Sequence, residues 1–368
     1  MSNNITFGRW EAVAILVNLI ITQIVLGFPR SMVETAGTAG WMVPVYVTAI
    51  ALISFAIISK LYSRFEGKDL IDIAEETGGN ILRIIIGLIF ASYIAFAITV
   101  VLREFCEDMK IVALPVSPIS FVTLFFVTGM IAAAYLGIEP IVRFSSIIIP
   151  VIIGGLLIIL IGVAPAFDIL NLTPVLGTGP VDIFGKGFLK LSIFSAVSLI
   201  FFIAPFIKTK KNFRSVGYIT IIISGILFLI TTVVYILVYP FPIGVERFLP
   251  IYQLARLINY GRFFQRIESV FVLIWATSAF IYLGMGFFLI LHILRKTFKL
   301  EYYKPLIIPM AILVFTCSLL PPNLMTALEL EHAYFRNYIW IVTFAIPILL
   351  LYSAGLVKKS RKRKEAGK

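Results

Sequence analysis

The sequence predicts an all-α integral membrane protein with ten transmembrane helices. Three observations carry this. Of 368 residues, 60% are hydrophobic and 14% charged, with a mean hydropathy of +1.03, far more apolar surface than a soluble core needs. A span needs about 20 mostly apolar residues, and charge-free windows near that length recur at 12–29, 35–59, 84–102, 111–138, 144–167, 191–207, 215–245, 269–294, 305–328 and 337–357. The stretches between them are too short for a soluble domain.

The net charge of +12 does not call for nucleic acid. With the N-terminus placed inside, most basic residues fall in alternate, inside segments. These hold Lys60, Arg64, Lys68 and Arg83, then Lys208, Lys210, Lys211 and Arg214, then Arg295, Lys296, Lys299 and Lys304, then the tail "KKSRKRKEAGK". That asymmetry places both termini in the cytoplasm and adds attraction to anionic lipid. "MSNNITFGRWE" lacks the basic region and cleavage site of a signal peptide, so the first window is expected to be a retained span.

Span one, "ITQIVLGFPRSMVETAGTAGW" in its second part, meets Gly27, Pro29 and Arg30. Proline removes a helix donor and glycine loosens the backbone. A broken helix survives in hydrocarbon only beside a cavity or protein interior. There, freed main-chain groups near Thr22, Gln23 and Gly27 can meet a polar solute; a plain proline kink is the alternative. Span three ends in Arg103, Glu104 and Glu107 and is preceded by "KDLIDIAEETGG", an amphipathic connector helix. No lysine interrupts span five, so no coupling ammonium is expected there.

Span six, at 17 residues, is short and is expected to rely on Lys190 and Lys208 reaching outward. Ser192, Ser195 and Ser198 sit at its middle, either as ligand contacts matching the break in span one or as a small-residue packing surface. Residues 241–261 read as a short helix over the outer vestibule. Arg262, Arg266 and Glu268 open span eight, Glu268 being expected to pair with Arg266 or Arg30. With Glu104 and Glu107 these charges form a candidate gate or partner surface. Thr277 and Ser278 are adjacent hydroxyls: a sodium site, or groups bonded to their own helix. Cys106 and Cys317 are expected as separate thiols, and His292 and His332 make no metal pair. No catalytic or cofactor motif is present, so neither enzyme activity nor a cofactor is expected.

"LGFPRSMVETAGTAGW", "NLTPVLGTGP" (171–180), "FIAPFIKTKKNF" (202–213) and "GRFFQRIESVFVLIW" (261–275) together resemble the B subunits of bacterial spore nutrient germinant receptors. These are permease-like proteins of the amino acid/polyamine/organocation superfamily. The resemblance implies a LeuT-like fold of two inverted five-helix repeats, about 9–165 and 187–357, joined by an extracellular loop at about 166–186 and followed by the tail 358–368. It further implies that broken helices one and six line a midplane site with helices three and eight. Thr22, Gln23, Ile24, Gly27, Tyr93, Ser195, Val197, Ser198 and Tyr282 would form that site. The implied function is sensing a small nutrient, often an amino acid, in the spore inner membrane and relaying it to an A-type subunit and a C-type lipoprotein. Several relatives carry Gly-x-Gly where this chain has Thr22, Gln23 and Ile24, so a particular ligand does not transfer. A sodium- or proton-coupled amino acid transporter and a scaffold for partner subunits are the competing functions.

Overall fold

The computed structural model describes residues 6–207, 212–259 and 267–366. Among them the regular elements are helical, with one isolated bridge between Phe7 and Ile207. Helix α1 (Arg9–Val25) stops at Leu26, and α2 (Phe28–Ala36) resumes beyond Gly27 with a bend of 61°. The division of labour differs from that of a plain proline kink. Gly27 makes the break, at φ +124°, while Pro29 sits in the first turn of α2, where its missing N–H costs nothing. An added Cβ at Gly27 would meet no atom within 4 Å, so only the backbone conformation resists a side chain. Gly27→Ala is expected to cost about 1–3 kcal/mol. Gly154→Ala, which also meets open space but lies inside a helix, should be neutral or stabilising by up to ~1 kcal/mol. Parallel unfolding curves in detergent check the difference.

Helices α3 (Met42–Tyr62), α4 (Leu70–Val112), α5 (Ile119–Leu136) and α6 (Ile138–Gly162) complete the first half. The expected connector helix forms the start of α4 and turns into the span at Gly78 and Gly79. Asp69 caps it in a reciprocal box with Asp72. Lys296 reaches Asp72 at 2.7 Å, and Glu75 joins Arg83 at 2.9 Å and Lys299 at 2.6 Å. Burial pushes the Asp69 carboxyl above its ordinary range, against the pull of Lys296.

The second half opens with α7 (Pro180–Phe184), a 3-10 segment (Lys186–Leu199) and α8 (Ile200–Ile203), together one apolar span from Pro180 to Phe206. Then come α9 (Asn212–Val238), α10 (Ile243–Glu246), α11 (Pro250–Leu257), α12 (Ile267–Thr297), α13 (Ile307–Ser318), α14 (Leu324–Leu330) and α15 (Ile346–Ala366). Among the described residues, eight helices are long and apolar enough to span, nine if α1–α2 is one crossing, with Lys304–Ser318 a shorter apolar helix.

Two expectations change here. Window 305–328 is not one helix: α13 ends at Ser318, just ahead of Pro321 and Pro322, which cannot extend it. Lys190 does not reach outward. Its ammonium donates to Ser31 Oγ at 2.7 Å, pulled in by the polar face of α2.

Helix α1 lies at the centre. Its residues Ala12 to Ile21, apolar except for Asn18, are all 3% exposed or less, as a helix apolar on nearly every side requires, and it packs on α6, α9, α12 and the 3-10 segment. On α5, Phe121, Leu124 and Phe125 are exposed, the pattern of a lipid-facing helix. Phe7 N–H donates to Phe206 O, and Lys358 Nζ to Arg64 O at 2.7 Å; with Tyr62 packed on Phe201 and Phe213, Phe7 and Lys358 lie at one face. At the opposite face the 168–179 loop docks on the end of α2. Thr178 N–H reaches Ala36 O at 3.4 Å, and Asn171 Nδ2 donates to Leu237 O at 3.0 Å.

Candidate functional site

The break in α1 opens on a cavity of about 260 Å³. Leu26, Gly27 and Arg30 form one wall; α4 contributes Glu104 and Asp108, and the α10–α11 turn contributes Phe248 and Leu249. The remaining side comes from α14 and from Arg336, on a short π-helical stretch (Glu331–Arg336) that follows α14. The helix expected within 241–261 is present as two, α10 and α11, and the turn between them closes the cavity.

Most cations here are already committed. Arg30 Nε donates to Val245 O at 2.6 Å and its guanidinium stacks on Phe248 at 4.2 Å, so Arg30 does not pair with Glu268. Arg336 Nη2 lies 3.0 Å from Glu331 Oε2 and 3.0 Å from Oε1, both side chains being buried. Arg103 pairs with Glu107 at 2.8 Å within α4 and donates to Pro322 O at 3.3 Å. Glu104 is therefore separated from its neighbours in sequence and faces the cavity. Arg262 and Arg266 lie outside the described residues. Glu268 is half-buried in the first turn of α12.

Beneath the cavity the Glu331–Arg336 pair forms a floor. Arg336 and Glu331 act electrostatically on Tyr282, which also neighbours Tyr93. Phe335 stacks on Tyr93 at 5.6 Å and on Phe96 at 5.4 Å. The Tyr93 hydroxyl in turn meets the Ser195 and Ser198 side chains, and Ser198 Oγ donates to Ser195 O at 2.9 Å. Helices α4, α12 and the 3-10 segment thus bring Tyr93, Tyr282, Ser195 and Ser198 together under the floor. Ser192 and Val197 are buried in the same segment. Of the residues proposed from sequence, Gly27, Arg30 and Glu104 line the cavity itself.

Thr22 belongs to a third group. Its hydroxyl donates to Asn18 O at 2.7 Å and lies 3.0 Å from Ser278 Oγ; Ser278 donates to Asn18 Oδ1 at 3.0 Å, and Asn18 Nδ2 to Ser278 O at 3.1 Å. This knot joins α1 to α12. Gln23 and Ile24 are buried beside it, still within regular helix. Thr277 bonds back to Leu273 O at 2.8 Å and takes no part. Ser278→Ala is expected to cost about 1–3 kcal/mol by stranding Asn18 Oδ1, and Thr277→Ala under ~0.5 kcal/mol, read as paired melting curves. Among the described residues no group of three or more His, Cys, Asp or Glu side chains is placed to hold a metal. Both cysteines are free, Cys106 buried and Cys317 half-buried.

Sequence reasoning missed Asp108, Glu331 and Arg336. "LELEHAYFR" falls between two apolar windows and reads as a loop; its one signal is Glu331 and Arg336, five residues apart among apolar neighbours.

Known proteins share this chain's pattern along nearly its whole length. Spore germination protein A2 of Bacillus subtilis (strain 168) is 24% identical over 357 residues, 96% of each chain. Spore germination protein YndE of the same organism is 26% identical over 360 residues, 96% of this chain and 97% of that one. Among solved structures, Mhp1, a nucleobase-cation-symport-1 family transporter in a closed conformation with bromovinylhydantoin bound, superposes with a TM-score of 0.69. It does so over 98% of this chain and 93% of its own at 13% identity. A manganese transporter from Eremococcus coleocola gives 0.55 over 94% and 77% at 12% identity. The fold is thus the LeuT-type arrangement of inverted repeats with an interrupted first helix, shared with transporters rather than enzymes. The family model described as spore germination protein matches residues 9–323, which contain the broken helix, Glu104, Asp108 and the docked loop, and the chain belongs to that spore permease family.

Proposed function

We propose that this family member is the permease-like B-type subunit of a spore germinant receptor, binding a small nutrient inside the membrane and passing the signal to an A-type membrane subunit and a C-type lipoprotein. The observation that carries this reading is the cavity at the α1–α2 break, where Gly27, Arg30 and Glu104 meet. In hydrocarbon an interrupted helix is retained where it faces a cavity or binding site. Thr22, Gln23, Ile24, Tyr93, Ser195, Val197, Ser198 and Tyr282 are proposed as the deeper wall, reached when the Arg336 floor moves. The basic segments favour a spore inner-membrane orientation with both termini cytoplasmic. Deleting the gene in its spore-forming host should abolish germination to one nutrient and leave vegetative solute uptake intact. An unchanged nutrient profile would refute the assignment.

A second reading, a sodium- or proton-coupled amino acid transporter, draws on the fold shared with transporters and on Ser278 facing α1, with Thr277 beside it as the proposed sodium ligands. It requires that reconstituted vesicles accumulate labelled amino acids under an imposed ion gradient. Vesicles that stay at equilibrium across the panel would dismiss it.

A further inference from the structure

The cavity at the α1–α2 break is lined by the exposed Glu34 and Glu329, the buried Glu104 and Asp108, and two guanidiniums. Its two guanidiniums are spent, Arg30 on Val245 O and the Phe248 ring, Arg336 on Glu331. Its two buried carboxylates are not. Glu104 is 2% exposed and Asp108 4%, and Glu104 Oε2 has no hydrogen-bond partner. Neither carboxylate belongs to an ion pair among the described residues. Arg336 lies within electrostatic range of Glu104, but Glu331 already balances its charge. Arg103, the adjacent cation in sequence, is turned away onto Glu107 and Pro322 O.

Glu104 and Asp108 are four apart on α4, so they are neighbours on one helix face, and both line the cavity. A buried carboxylate left without a donor is costly; the group that relieves two of them together is a compact cation with several N–H bonds. An ammonium, with three donors on a point charge, meets that description. We infer that the cavity binds the protonated amino group of a small amine-bearing solute, seated between Glu104 and Asp108. The volume of about 260 Å³ lies below the roughly 300–1,000 Å³ of pockets for drug-sized molecules, which suits an amino acid or short amine. This deepens the receptor reading and rests on it.

The test uses the full-length protein in nanodiscs, with ligand-induced thermal stabilisation measured for matched probes. These are leucine, 3-methylbutylamine and 4-methylpentanoate, then alanine, ethylamine and propanoate, with sodium and calcium chloride alone as inorganic cations. The amino-bearing probes should stabilise in a dose-dependent way, and the acids lacking nitrogen should not. Glu104→Gln and Asp108→Asn should each weaken amine binding about 10- to 100-fold, while Glu139→Gln, an exposed member of an Arg143 pair, should not. Equal binding of the nitrogen-free acids, stabilisation by calcium or sodium with none by amines, silence of the whole panel, or unchanged affinity in both variants would each overturn the inference. If one variant fails to fold, the other and the wild-type probe comparison still decide. Loss of germination in the deletion strain without amine binding would leave the receptor reading standing and remove this one. Amine binding with normal germination would do the reverse.

Discussion

Replacing Arg336 with alanine is expected to destabilise the protein by about 3–5 kcal/mol, enough to deplete it from the membrane. The guanidinium is buried, as is its partner Glu331, and the two bond at 3.0 Å. Removing it strands Glu331 and also takes away the cation that acts on Glu104. The loss is therefore larger than the net worth of the pair. The double variant Glu331→Gln/Arg336→Met should recover much of the deficit, because both charges leave together. Denaturant titration in detergent separates the cases. A single variant within 1 kcal/mol of wild type would mean that water reaches the pair and the floor is not closed.

The second large effect is expected at Gly177. Its φ is +49°, and an added Cβ would lie 2.0 Å from Ala36 O and 2.8 Å from Ala39 N. Both are backbone atoms, Ala36 ending α2 and Ala39 ending the 3-10 turn after it, so no side chain can swing aside. Overpacking of this kind costs about 1–3 kcal/mol and the left-handed backbone about 1–2 more; Gly177→Ala should cost about 3 kcal/mol. Gly179→Ala is the control. It carries a backbone penalty at least as large, since φ +116° with ψ 162° is a region open essentially to glycine alone, but it meets nothing within 4 Å. A smaller loss there, measured by the same titration, isolates the clash.

The interruption of the first span was legible because Gly27 and Pro29 break helices by local chemistry, though their roles were finer than the pattern showed. The helices at 243–257 were legible through apolar periodicity, and the connector helix through the amphipathic pattern of "KDLIDIAEETGG". The cavity was legible only on one side. Glu104 stands out as a charge at a span end, but which charge pairs with which depends on helix rotation, and a single sequence carries no rotation. Arg103 turned to Glu107, leaving Glu104 free, for that reason. The opposite wall was hidden because Glu331 and Arg336 sit outside any charge-free window. Hydropathy marks such residues as loop, whereas the packing of their neighbour Phe335 on Tyr93 and Phe96 holds the stretch inward. The serines of span six stand out in the sequence, and all three are buried, yet Tyr93, which meets Ser195 and Ser198, comes from a helix a hundred residues earlier.

The 3-10 winding of Lys186–Leu199 has a mechanical consequence. Its 14 residues are two 3-10 pieces that meet at Phe194, whose backbone is not helical (φ −90°, ψ 17°). Each piece rises about 2.0 Å per residue against about 1.5 Å if wound as α-helix, so every two residues rewound would shorten the segment by about 1 Å. Rewinding the piece that carries Lys190 would reel in its contact with α2 without any hinge having to swing.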